Sequence, residues 1–156
     1  MKSKANIIEI TWDGPFSLSE IINNDVECQG MGLYQIYGLH PIYGQNSLLY
    51  IGYTIDSYTQ SIPKHNDGWI KFHFDEVKIY LGRIENEEDS EEAVKKKIVE
   101  AQRLLVYYCA PAYNAYSDSI YKGEDTGTIV LNFGKISCLP IEVSTFWYYS
   151  ETWEKE

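Results

Sequence analysis

Two apolar, aromatic runs separated by a short stretch of turn residues constrain this chain more than any other feature. The first is Gly32-Leu33-Tyr34-Gln35-Ile36-Tyr37-Gly38 and the second is Leu48-Leu49-Tyr50-Ile51-Gly52-Tyr53. Between them stand Pro41, Gly44 and Asn46, residue types that preset or permit turn conformations. Runs rich in Ile, Leu and Tyr around such punctuation predict a β-hairpin. Its strands would bring Tyr34 and Tyr50 close together, where two phenolic oxygens can act on one substrate.

The rest of the chain divides by periodicity. Residues 7–12 alternate loosely and read as a strand, followed by a turn at Asp13-Gly14-Pro15. Ser17 and Glu20 form a capping box for a short helix through Ile22. Ile55, Tyr58 and Ile62 recur at helical spacing until Pro63 stops the segment. Residues 71–81 read as a strand, with a bulge near Asp75-Glu76. A long helix follows, with Asp89 as N-cap and Glu92 completing a second box. Val94, Ile98, Ala101, Leu105 and Tyr108 line its apolar face, Lys95, Lys96 and Lys97 its solvated side, and Pro111 ends it. Residues 128–131 and 136–139 flank Asn132-Phe133-Gly134-Lys135 as a hairpin-like pair. Phe146-Trp147-Tyr148-Tyr149 is either another strand or an interaction surface.

The strings Gly32-Leu33-Tyr34 and Tyr50-Ile51-Gly52 resemble the defining motif of the GIY-YIG nuclease superfamily, with Leu33 where that motif has isoleucine. The order that follows resembles it too: a short helix, a third strand, a helix bearing Glu100, then Pro111-Ala112-Tyr113-Asn114. The resemblance covers residues 31–115. It implies an α+β fold with a small central antiparallel three-stranded sheet flanked by helices. Residues 1–30 would add an N-terminal strand and helix, and residues 116–156 a C-terminal β-hairpin extension, all within one domain.

By the same resemblance the chemistry is phosphodiester hydrolysis on DNA with one divalent ion, Mg²⁺ or Mn²⁺. Tyr34 or Tyr50 would position or deprotonate the attacking water, Glu100 would hold the metal, and Asn114 would support the site. His73 lies about where some relatives place a histidine. The family's phosphate-clamping arginine, eight residues after the glycine of the second string, is here Gln60. A catalytic arginine is worth ~10³–10⁵ in phosphoryl transfer, and glutamine lacks its charge and bidentate donors. Lys64, His65 and Arg103 are the candidates for substitute charge.

Each of these residues has a plainer reading. Tyr34 and Tyr50 are two of 14 tyrosines, and both fit as strand residues with satisfied hydroxyls. Glu100 stands among Lys96, Lys97 and Arg103, where helix-surface ion pairing is an alternative. Asn114 fits a turn closure. His40 and His65 flank prolines and read as loop surface.

The net charge of −10, from 13 basic and 23 acidic residues, opposes strong binding to phosphate, which depends on Lys and Arg. Six carboxylates fall between Glu85 and Glu92, so much of the acidity is local. Three cysteines (Cys28, Cys109, Cys138) without a CxxC spacing read as reduced thiols in a cytoplasmic protein. No apolar run reaches the length of a membrane span. Two functions follow: a DNA-cutting enzyme altered at its arginine, or a non-cutting module. The second would bind nucleic acid, a protein partner or another copy of itself, with the aromatic C-terminus as an interface.

Overall fold

The computed structural model describes residues 5–24, 26–68, 77–85, 90–114 and 127–145. His73, Asp89, the middle of the acidic run and the aromatic C-terminal run lie outside the described residues. Elements follow in the order β1 (Asn6–Phe16), α1 (Leu18–Ile22), β2 (Gly32–His40), β3 (Gly44–Thr54) and α2 (Tyr58–Ser61). A 3₁₀ turn (Pro63–Asp67), β4 (Lys78–Ile84), α3 (Glu91–Cys109), β5 (Thr128–Gly134) and β6 (Glu142–Ser144) complete it.

The sheet corrects the expected architecture. In place of a small three-stranded sheet flanked by helices stands one six-stranded sheet in the order β3-β2-β4-β1-β5-β6, curled into a half-barrel. The antiparallel trio β3-β2-β4 is present, but it is half of a larger sheet. β1 pairs antiparallel with β4 and parallel with β5, so the N-terminal strand lies inside the sheet. Periodicity marks each strand, but pairing between residues more than a hundred positions apart leaves no local trace.

Alternation explains why β1 can sit there. Ile8, Ile10 and Trp12 are buried on one face while Glu9, Thr11 and Asp13 point to solvent on the other. The buried side meets α3, whose Ile98, Ala101, Leu104 and Leu105 pack with Leu33, Ile51, Val130 and Val143. Burial of each Ile, Leu or Val among them contributes about 1.5–3 kcal/mol. A second core on the opposite face joins α1, α2 and the 3₁₀ turn to β2 and β4, through Leu18, Ile21, Tyr58, Ile62, Ile36 and Ile79.

Trp12 ties three strands together. Its indole Nε1 donates to Asn132 Oδ1 at 2.9 Å, and Asn132 Nδ2 donates to the Pro140 carbonyl at 2.8 Å. The ring lies flat on Gly82 of β4, where a Cβ would stand 2.7 Å from Trp12 Cε3.

Local expectations fared unevenly. The Ser17–Glu20 capping box forms, with Glu20 N donating to Ser17 Oγ at 3.2 Å and Ser17 N donating to Glu20 Oε2 at 2.7 Å. The N-cap of α3 is Ser90, whose Oγ accepts from Ala93 N at 3.2 Å, so Glu92 is not its box partner. Residues 136–139 form a turn, with Leu139 N donating to the Ile136 carbonyl at 3.1 Å. The partner of β5 is β6, after Pro140. Among the described residues no helix is long and apolar enough to cross a membrane.

Replacing Asn132 by leucine strands the buried Trp12 N–H, at about 1–3 kcal/mol for a buried group left unpaired. A urea titration should show a lower midpoint at unchanged slope. Adding Trp12→Phe should recover part of the loss, and an undiminished midpoint in Asn132→Leu would refute this account.

Candidate functional site

The β2–β3 register builds the site. Tyr34 faces Gly52 and Ile36 faces Tyr50, which makes the two tyrosines diagonal neighbours on one face of the hairpin. Their rings stack with centroids 6.1 Å apart and planes at 29°. Gly52 is what allows this. A Cβ at that position would collide with the Tyr34 ring and hydroxyl and come within 2.7 Å of Tyr50 Cε1. Gly32 does the same for Tyr58, whose hydroxyl passes over it to donate to the Gly82 carbonyl at 2.8 Å.

His65 is the third member. Pro63 does end α2, but it opens a 3₁₀ turn, a position suited to its fixed φ and missing N–H. Ile62 anchors that turn in the core, and His65 N donates to the Ile62 carbonyl at 3.1 Å. The imidazole is thereby set against the tyrosine pair. Its Nε2 lies 2.8 Å from Tyr34 Oη, and its ring centroid lies 4.5 Å from that of Tyr50. Proline's role as a helix breaker was legible in the sequence, but its delivery of His65 to Tyr34 was not, since the two residues are 31 positions apart.

Burial sets the protonation states. Tyr34 is 3% exposed, and desolvation, with smaller contributions from Tyr50 and Tyr53, raises its pKa far above the usual phenol range. Desolvation also lowers the pKa of His65 below its ordinary value of 6.5. A neutral phenol therefore meets a neutral imidazole across the hydrogen bond between Tyr34 Oη and His65 Nε2.

In front of the tyrosines opens a cleft of about 280 Å³. Tyr34, Tyr50, Gly52 and Tyr53 form its sheet side, and Val99, Gln102 and Arg103 of α3 form the other. The outer edge of β3 is closed against α3 and the segment that follows it. Gln102 Nε2 donates to the Ile51 carbonyl at 3.2 Å. Asn114 accepts from Ile51 N and donates to Ile51 O, each at 3.0 Å. Ala112 N and Tyr113 N donate to the carbonyls of Leu48 and Leu49. Asn114 thus does more than close a turn: its amide completes the hydrogen bonding of an edge strand beside Tyr50 and Gly52.

The remaining candidates separate. Glu100 lines a larger adjoining groove, of about 690 Å³, together with Asn6, Glu92 and Lys95 to Lys97. That groove shares Val99 and Arg103 with the tyrosine cleft. Gln60 is exposed on α2 and does not line the cleft. His73 is outside the described residues. Gln102 carried no signal in the sequence, because its contact is to a backbone carbonyl 51 positions away.

A metal has limited support from the donor set. No group of three or more His, Cys, Asp or Glu residues gathers among the described residues, and no carboxylate lines the cleft. Mg²⁺ needs only one or two carboxylates when substrate phosphates and water complete its shell. Glu100 is the carboxylate beside the shared wall, but it lines the neighbouring groove and not the cleft.

The buried imidazole has a measurable consequence. Unfolded, it takes up a proton as pH falls through about 6.5; folded, it does so only at lower pH. The stability associated with neutral His65 is thus fully present above about 6.5 and is lost as pH falls toward the folded value. Between neutral and mildly acidic pH the wild type should lose stability relative to His65→Gln, and parallel denaturation curves would contradict the depressed pKa. No family model matches this chain, and neither a curated protein nor a solved structure matches it.

Proposed function

We propose that this protein is a GIY-YIG-type, nuclease-like hydrolase of DNA phosphodiesters, with its reaction centred on the Tyr34–His65 pair. The observation that carries the reading is the 2.8 Å contact between Tyr34 Oη and His65 Nε2, at a cleft walled by Tyr50 and Arg103. In the tautomer with its proton on Nδ1, neutral His65 accepts from the Tyr34 hydroxyl. As water attacks phosphorus, its proton passes to Tyr34 Oη while the phenolic proton passes to His65 Nε2. The P–O bond to the leaving oxygen breaks, and solvent protonates that oxygen. The relay avoids a free phenolate, which burial disfavours; the imidazolium formed instead is also disfavoured by desolvation and releases its proton to solvent, which restores neutral His65. Arg103 supplies the fixed charge and planar donors that position 60 lacks. Mg²⁺ or Mn²⁺ at Glu100 would add charge neutralisation on the phosphate.

Gln60, together with the net charge of −10, favours a second reading, a module of the same ancestry that binds nucleic acid or a protein without cutting. Nicking of supercoiled plasmid at low salt with Mg²⁺ or Mn²⁺ separates the two. On the hydrolase reading, Tyr34→Phe and His65→Gln should each lower the rate ~10²–10⁴-fold, the usual worth of positioned acid–base groups. Arg103→Ala should lower it ~10²–10³-fold, as for loss of one charge-stabilising donor, and Glu100→Ala should remove the metal dependence. Wild-type protein that is folded yet does not nick transfers the assignment to the non-cutting module.

A further inference from the structure

We propose that the solvent face of α3 is a nucleic-acid backbone track, in which Lys95, Lys96 and Lys97 continue the path of phosphates beyond Arg103. This inference rests on the phosphodiester reading of the tyrosine cleft and adds where the rest of the strand lies. The chain carries 13 basic residues against 23 acidic ones, yet four of those cations line one groove with only two carboxylates, Glu92 and Glu100. With Glu91, which pairs with Lys95, counted as well, the groove still carries one excess positive charge in a protein of net charge −10. It is also continuous with the cleft, since Val99 and Arg103 belong to both.

Helical spacing makes the track linear. Lys96, Val99, Glu100 and Arg103 succeed one another at three- and four-residue steps, the rows that share a helix face. From Lys96 to Arg103 the axis rises about 10 Å at ~1.5 Å per residue, about three phosphates of one strand at ~3.4 Å each. Lys95 already bridges Glu91 at 2.9 Å and Glu92 at 3.7 Å, contacts at an exposed surface that added phosphate can replace. Elsewhere the described cations stand singly along the chain. Arg83 donates to the carbonyls of Gln29 and Glu27, Lys78 donates to Asn46, and Lys135 faces Asp13. The charge therefore concentrates beside the cleft, where a strand held for cleavage must leave it.

The test is fluorescence anisotropy of a labelled DNA single strand and its duplex against salt, with EDTA present so that no cutting occurs. Wild type is compared with Lys96→Gln/Lys97→Gln and with Lys78→Gln/Lys135→Gln, which changes net charge equally away from α3. Removing two phosphate contacts should flatten the log–log salt slope by about 1.4 on the single strand and about 1.8 on the duplex. The control pair should leave it unchanged. Equal slopes in wild type and the α3 variant, or equal losses in both variants, overturn the track. So does an absence of binding by wild type at low salt, or displacement by poly-glutamate as effective as by DNA. Because binding is read without cleavage, a flattened slope beside absent plasmid nicking upholds the track while the hydrolase reading falls.

Discussion

The pairing of Tyr34 with Gly52 across β2 and β3 is the contact on which the site depends. Only a residue without a side chain lets the Tyr34 ring lie over the neighbouring strand. Once there, the ring stacks on Tyr50, meets Tyr58 edge-on at 6.5 Å and reaches His65. A register slip of one residue would send Tyr34 to the opposite face, among the residues that pack under α3. The register is in turn protected at the edge of the sheet, where Asn114 and Gln102 occupy the polar groups of Ile51. Hairpin, helix and post-helix turn therefore hold one another, and the cleft lies at their junction.

The larger sheet makes that junction rigid. β4 lies between β2 and β1, and Trp12 presses on Gly82 while its indole nitrogen is held from β5. Gly82 also gives its carbonyl to Tyr58, on the side of the sheet opposite the α3 core. One glycine thus receives an aromatic ring from β1 and a phenolic hydroxyl from α2, which couples the two cores through the middle of the sheet. The contacts run from Trp12 through Gly82 to Tyr58, whose ring meets Tyr34 edge-on.

Electrostatically, the protein separates its charges. Its acidity is overall, while the cations of α3 gather beside the cleft. Buried Tyr34 and His65 remain neutral for the same reason, desolvation, which acts in opposite directions on the two pKa values. On the proposed phosphodiester reading, a neutral donor–acceptor pair beside Arg103 suits an anionic substrate better than a phenolate would, since a second negative charge there would repel it.

The amino-acid sequence by itself determined the local pieces. Alternation marked β1, apolar aromatic runs around turn residues marked β2 and β3, the Ser17 box marked α1, and the apolar face of α3 was plain from Ile98, Ala101 and Leu105. The glycines of the two strings and both tyrosines stand out in the sequence, and so does Asn114. These are signals of short range, written in periods of two and 3.6 residues and in turn chemistry. Tertiary structure alone decided that β1 enters the sheet between β4 and β5, that the strands join one six-stranded sheet rather than a three-stranded one with separate extensions, and that residues 136–139 turn while Glu142–Ser144 pairs. It likewise decided that His65 meets Tyr34, that Gln60 stays at the surface, and that Glu100 opens onto a neighbouring groove. The physical reason is the same in each case. Such contacts join residues far apart in the chain, and only competition for one buried face and one set of backbone partners selects among them.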